Sequence, residues 1–266
     1  MTSLAVIGAG VMGETLIAGL LRAGWAPESI TAADRHGPRL AEMEARHGIR
    51  TAGTAEAAAG ADTVVVVVKP QDADEVLPVV GAAIRPGTLV VSLCAGLSTS
   101  RIEAAMPEGT AVVRVMPNTP AQVDEGMAAV SAGAAATAEH VEHATELMSA
   151  VGKVVTVPEK YQDAVTAISG SGPAYLFFVV EAMIDAGVML GLPRDISTAL
   201  VVQTMYGSAK LLADSGEHPT VLRERVTSPG GTTAAALREL EDHRVKAAFM
   251  TAMEAARDRS RALASS

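Results

Sequence analysis

Eight residues, Val226-Thr227-Ser228-Pro229-Gly230-Gly231-Thr232-Thr233, combine three threonines, a serine, a proline and two adjacent glycines between two helical patterns. No packing argument requires such a composition. Pro229 fixes its own φ, Gly230 and Gly231 can take angles that other residues avoid, and Thr232-Thr233 begin the amphipathic run A-A-A-L-R-E-L. A loop of this kind aims consecutive N–H groups into one concavity, and the positive end of the following helix adds to the attraction. The place suits a small anion such as a carboxylate. Taken alone, the segment also reads as an ordinary helix N-cap.

A second constellation lies at the N-terminus. The apolar strand Leu4-Ala5-Val6-Ile7 runs into Gly8-Ala9-Gly10-Val11-Met12-Gly13, and E-T-L-I-A-G-L-L-R-A-G follows with helical spacing. This is G-x-G-x-x-G in the setting it needs. Gly8 permits the tight turn, Gly10 lets a pyrophosphate approach the backbone, and Gly13 lets helix and strand pack closely. A second strand, 29–33, ends in Asp34-Arg35. An acid there binds the adenosine ribose of NAD, whereas a nearby Arg accommodates the 2′-phosphate of NADP. With both present, the choice of dinucleotide stays open, and Arg35 also reads as a solvated surface charge.

Further strand ends are expected at the same edge. Val64 to Val68 form a strand apolar on both faces, closed by Lys69-Pro70 at the carboxyl edge where open α/β sheets bind ligands. Lys69 there either lines the cofactor crevice or is an exposed strand-end lysine. Strands over 88–93 and 111–116 would deliver Cys94-Ala95-Gly96 and Pro117-Asn118-Thr119-Pro120 to one shared crevice. Cys94 has no basic neighbour in sequence and reads as a packing thiol. Asn118, the chain's only asparagine, either contacts the nicotinamide amide or holds its turn. Glu139-His140 and Glu142-His143 lack a third convergent group, so they read as a solvated helix face and no metal site is expected.

The elements that must position these residues follow from composition and pattern. A chain of 266 residues with 49% apolar and 3% aromatic content can bury a large aliphatic core. The formal net charge of −9, with no basic run, argues against nucleic acid as a partner. The single cysteine fits a reducing cytoplasm, and the N-terminus carries no export pattern. The fold expected is an α/β Rossmann-like dinucleotide-binding domain over residues 1–160 and an all-α domain for dimerisation and substrate binding over 161–266. From Tyr161 onward helices are expected almost throughout. The apolar segment Gly172 to Leu192 carries Glu181 and Asp185, which suits a buried or interface helix better than a membrane span. Pro173 to Leu190 is apolar on nearly every face and predicts burial against a second subunit, a central core helix being the other reading.

With G-A-G-V-M-G, V-K-P, M-P-N-T-P, S-G-S-G-P-A-Y, G-L-P-R and V-T-S-P-G-G-T-T in that order, the chain resembles the pyrroline-5-carboxylate reductases over about 4–262. The resemblance implies reduction of 1-pyrroline-5-carboxylate to L-proline by hydride from NADP(H), alternatively NAD(H). It also implies a homodimer, often assembled into larger homo-oligomers, and an active site between the cofactor crevice and the helical domain, completed across the dimer. It places the substrate carboxylate on Ser228 and the backbone around Gly230, Gly231, Thr232 and Thr233, with the Thr233 hydroxyl at the ring nitrogen. Gly8 to Gly13, Asp34-Arg35, Val67, Val68, Lys69, Cys94 and Ala95 match cofactor-contacting positions. Asp34 departs from the neutral residue of many NADPH-preferring members. β-Hydroxyacid-type dehydrogenases share the two-domain plan but place a Lys and an Asn on the first long helix of the second domain, where this chain has no Asn. A non-catalytic NAD(P)-binding sensor is the alternative of a different class.

Overall fold

β1 (Leu4–Ile7) is buried along its whole length. Leu4 and Val6 face one apolar core, Ala5 and Ile7 the other, which is the burial a central parallel strand demands. The structure, a computed structural model, describes residues 3–264; the outer limits of the expected domains, residues 1 and 266, lie outside them. Seven more strands follow: β2 (Ile30–Ala33), β3 (Arg50–Thr51), β4 (Thr63–Val66), β5 (Leu89–Ser92), β6 (Ala111–Met116), β7 (Gly126–Ala132) and β8 (Gly152–Thr156). They form one sheet in the order β3-β2-β1-β4-β5-β6-β7-β8. All neighbours are parallel except β6 and β7. The chain reverses its direction of winding between β1 and β4, the place where doubly wound sheets open a crevice at their carboxyl ends.

Helices α1 (Val11–Arg22), α2 (Gly37–His47), α3 (Thr54–Ala59), α4 (Ala73–Ala83), α5 (Thr99–Glu103) and α6 (Ala138–Ser149) pack on the sheet. Leu16, Ile17 and Leu20 of α1, Met43 of α2 and Leu147 and Met148 of α6 belong to one core. Ala57 and Ala58 of α3, Leu77 and Val80 of α4 and Ile102 of α5 belong to the other. β7 was not among the expected strands. Its sequence, G-M-A-A-V-S-A, has few of the branched or aromatic residues that mark a strand; pairing with β6 and β8 makes it one.

Two compact units result: one takes the chain up to Ser171 and again from Ala256 on, the other is Gly172–Ala255. The sheet unit thus reaches past residue 160. α7 (Gln162–Val165) is held there because Gln162 is fully buried, its Nε2 donating to Ala129 O at 3.2 Å and to Ser131 Oγ at 2.8 Å. Beyond Val165 the helix widens into a π turn over Thr166–Gly170, closed by Ser171 N–H to Thr166 O at 2.8 Å.

The second unit holds α8 (Gly172–Met189), α9 (Arg194–Ser215), α10 (Pro219–Arg225), α11 (Thr232–Asp242) and the start of α12 (Val245–Ala264). Gly187 lets α9 approach α8: a Cβ there would lie 2.1 Å from Ser197 Oγ, which donates to Ile184 O at 2.9 Å. Gly191, at φ +96°, turns the chain between them. The stretch Glu159–Met189 is long and apolar enough to cross a membrane; within it Asp185 pairs with Arg194 at 2.9 Å. Phe177 and Phe178 are 67% and 72% exposed in the single chain, with Leu176, Leu200 and Tyr206 also exposed. Large apolar side chains this exposed on two neighbouring helices mark a surface that meets a partner.

Candidate active site

The loop between β1 and α1 is shaped by what its glycines leave out. Gly8 sits at φ +113°, and a Cβ there would come within 2.7 Å of Val67 O. At Gly13 a Cβ would lie 2.0 Å from Gly8 O, so the first turn of α1 packs directly on the loop. Above Gly10 nothing lies within 4 Å. Gly10 is also the N-cap of α1, and no side chain caps it. An uncapped helix start under open space is a place for a pyrophosphate.

The peptide of Ala9 is pinned from both sides. Its N–H donates to Asp34 Oδ2 at 2.8 Å and its carbonyl accepts from Arg39 Nε at 2.8 Å. Asp34 Oδ1 takes the His36 N–H at 2.9 Å. Arg39 is itself ion-paired to Glu14 and Glu42. Burial would push the Glu14 carboxyl up, but hydrogen bonds from His47 and Arg39, the Arg39 charge and a bond from Arg46 hold it at about 2.

A cavity of about 460 Å³ opens beside this loop. Among the expected cofactor positions, Gly8, Gly10, Asp34, Arg35, Val67, Val68 and Lys69 line it. Ala9 is fully buried and Gly13 lies under the loop; Val11 is 65% exposed, and Met12 packs on the core. Sequence reasoning did not single out His36, Asp72 or Glu75, which also line the cavity. Asp72 was findable from its place just past the carboxyl end of β4. It forms a two-point ion pair with Arg35, at 3.0 and 3.4 Å.

The three strand ends do not share this one cavity. Ala95 lines a neighbouring hollow of about 690 Å³ with Pro70, Gln71 and Thr166, so Lys69-Pro70 stands between the two. Cys94 is 2% exposed, its Sγ 3.6 Å from Val66 O, and burial pushes its thiol up; packing is what the side chain does. Asn118 Oδ1 accepts the Met127 N–H at 2.8 Å and its Nδ2 donates to Ser169 O at 3.2 Å. Of its two readings, the hydrogen bonds perform the turn-holding one, tying the end of β6 to β7 and the π turn.

In the second unit, the loop 226–233 ends in the uncapped N-terminus of α11. Gly230 takes φ +70° as expected, but Gly231 sits at φ −79°, open to any residue. Gly231 is required for space instead: a Cβ would lie 2.5 Å from Ser228 Oγ. Gly231 N–H donates to Ser228 O at 3.0 Å, and the first main-chain bond into the helix is Ala235 N–H to Gly231 O. Among the described residues no main-chain acceptor takes the amides of Thr232, Thr233 and Ala234. No acidic side chain stands in the first turn. Three free donors on a helix start, with Ser228 and Thr233 hydroxyls beside them, form a seat for a carboxylate.

Two family models cover the two parts of the chain. A family model described as pyrroline-5-carboxylate reductase dimerisation matches residues 159–263, and one described as NADP oxidoreductase coenzyme F420-dependent matches residues 3–96. The pyrroline-5-carboxylate reductase of Corynebacterium melassecola is 44% identical over 99% of both chains. That of Methanosarcina acetivorans is 43% identical over 97% of this chain and 96% of its own. Among solved structures, the Coxiella burnetii enzyme superposes with a TM-score of 0.93 at 33% identity, covering 98% of each chain. The Plasmodium falciparum enzyme, solved with NADP bound, gives 0.89 at 31% identity, over 99% of this chain and 98% of its own. Identity at this level along the whole length, on top of a glycine-turned crevice and an open helix start, makes the chain a member of the pyrroline-5-carboxylate reductase family.

Proposed function

We propose that the loop 226–233 grips the carboxylate of 1-pyrroline-5-carboxylate and that the crevice from Gly8 to Lys69 holds NAD(P)H, in the reduction of that imine to L-proline. The observation that carries this reading is the open start of α11, where the amides of Thr232, Thr233 and Ala234 lack main-chain acceptors among the described residues. The crevice fits the dinucleotide on its own geometry: free space over Gly10, an uncapped α1, and Arg35 and Lys69 on the wall. When bound, the reduced nicotinamide supplies the hydride. The Plasmodium relative with NADP bound supports the same use of this fold.

The protein's own part is positioning. A protonated cyclic imine already accepts hydride, so no strong protein acid is needed. Ser228 and the amides of Thr232, Thr233 and Ala234 orient the acid group, Gly230 and Gly231 shape the backbone that presents them, and the Thr233 hydroxyl reaches the ring nitrogen. Holding two reacting carbons in near-attack contact contributes up to ~7–11 kcal/mol. Apolar side chains of the α8 region join two copies into a homodimer, consistent with the dimerisation-family match. Assembly into larger oligomers, residence in the cytoplasm and independence from membranes and nucleic acid complete the proposal, supported by the single cysteine and the net charge of −9.

The test is direct. Purified protein with NADPH is expected to consume the nicotinamide absorbance when pyrroline-5-carboxylate is added, with L-proline as product. Persistent absorbance with nucleotide bound would leave a binding protein in place of a reductase. Parallel kinetics with NADH measure the cofactor preference.

A further inference from the structure

The mouth of the dinucleotide crevice carries charges of both signs, Arg35 and Lys69 against Asp34, Asp72 and Glu75, with the His36 ring beside them. Their hydrogen bonds divide the acids by task. Both Asp34 oxygens take main-chain N–H groups, from Ala9 at 2.8 Å and His36 at 2.9 Å. Asp34 therefore anchors the glycine loop. Asp72 reaches from the short turn Pro70–Asp72 after β4 to the Arg35 guanidinium after β2, with contacts of 3.0 and 3.4 Å. Because β2 and β4 flank β1, the pair joins the two strand ends on either side of the strand that feeds the glycine loop. Arg35 is 65% exposed and Asp72 22%, so the guanidinium is the partner that an incoming phosphate can reach.

A guanidinium beside the adenosine ribose is the natural partner of a 2′-phosphate, which it grips with the same two-point geometry it offers a carboxylate. We propose that Asp72 sets the nucleotide selectivity of this enzyme, by holding Arg35 in an ion pair that an incoming 2′-phosphate must displace. The inference rests on the dinucleotide reading of the crevice. A nucleotide with a free 2′-hydroxyl leaves the pair intact; one with a 2′-phosphate must break it and meet the Asp72 charge. Asp72 thereby narrows the advantage of NADP(H) over NAD(H) that Arg35 alone would confer.

The experiment measures binding as well as turnover. Dissociation constants of NADP+ and NAD+ are determined by calorimetry for the full-length protein, Asp72→Asn, Arg35→Gln and the double variant. Release of an exposed pair and loss of one like charge are expected to tighten NADP+ about three- to tenfold in Asp72→Asn, with NAD+ within about twofold. In the Arg35→Gln background the Asp72→Asn gain for NADP+ is expected to shrink toward the loss of charge repulsion alone. The ratio of kcat/KM for NADPH over NADH should rise in parallel in Asp72→Asn. Equal changes for both nucleotides, weaker NADP+ binding, or a selective loss of NAD+ that marks Asp72 as a ribose ligand would each overturn the proposal. A wild-type protein that binds neither nucleotide would instead refute the crevice reading beneath it.

Discussion

Two glycines three residues apart separate steric fit within the fold from steric room for a ligand. At Gly13 an added methyl would lie 2.0 Å from Gly8 O, against the 3.4 Å of ordinary contact, and the obstacle is backbone. Loop or helix must shift by more than an ångström, and overpacking of this kind costs ~1–3 kcal/mol. At Gly10 the methyl meets nothing within 4 Å and φ is −70°, an angle any residue adopts. Gly10→Ala should therefore fold with a Tm within about 2 °C of wild type, whereas Gly13→Ala should lose several degrees. For the nucleotide the order changes. The Gly10 methyl would stand where the pyrophosphate must approach the amides of α1, so the same ~1–3 kcal/mol falls on binding and raises Kd roughly five- to 150-fold. Calorimetric titration with NADP+ and thermal scans at one fixed protein concentration read both quantities. A Gly10→Ala protein with wild-type stability and wild-type Kd would refute the placement of the pyrophosphate over this loop.

Three other outcomes follow from the geometry. Thr233→Ala should lower kcat/KM for the imine by roughly ten- to a hundredfold, the worth of one hydrogen bond to a charged partner, with the Kd of NADPH nearly unchanged; unchanged activity would remove Thr233 from the site. Glu14 is held at about 2 against an ordinary 4.5, so its contribution is complete above pH 4.5 and is lost as pH falls toward 2. The Tm gap between wild type and Glu14→Gln should narrow over that interval, and a gap independent of pH would contradict the ion network. Asn118→Ala leaves the Met127 N–H without its acceptor and frees Ser169 O, at a cost of ~1–3 kcal/mol. Thermal scans should show a lower Tm, and a loss of nucleotide affinity without loss of stability would restore Asn118 to cofactor contact.

Much of this protein was legible because local chemistry left few choices. G-A-G-V-M-G after an apolar strand predicts the crevice loop, and the positive φ of Gly8 and the closeness of Gly13 to Gly8 O bear that out. The start of α11 and both ends of β6 agree with the pattern reading because sharp signals mark them. Gly231 was understood for the wrong reason: its lack of a side chain admits Ser228, and its backbone angle is ordinary. β7 escaped because small residues carry no strand signal until two neighbours pair with them.

What sequence determined alone was the set of local conformations and their chemical types: a glycine-turned strand-to-helix loop, an uncapped polar helix start, an apolar helix in need of a partner, and the family these identify. Those depend on φ preferences and periodicity, which act within a few residues. Tertiary structure decided which long-range partners each charge and amide received. It gave Asp34 to the Ala9 amide, Arg39 to the Ala9 carbonyl, Asp72 to Arg35 and Asn118 to Met127. The residues of each pair are nine to 37 positions apart, and only the winding of the sheet brings their ends together. Hydrogen bonds act over about 3 Å, so no local pattern could assign them.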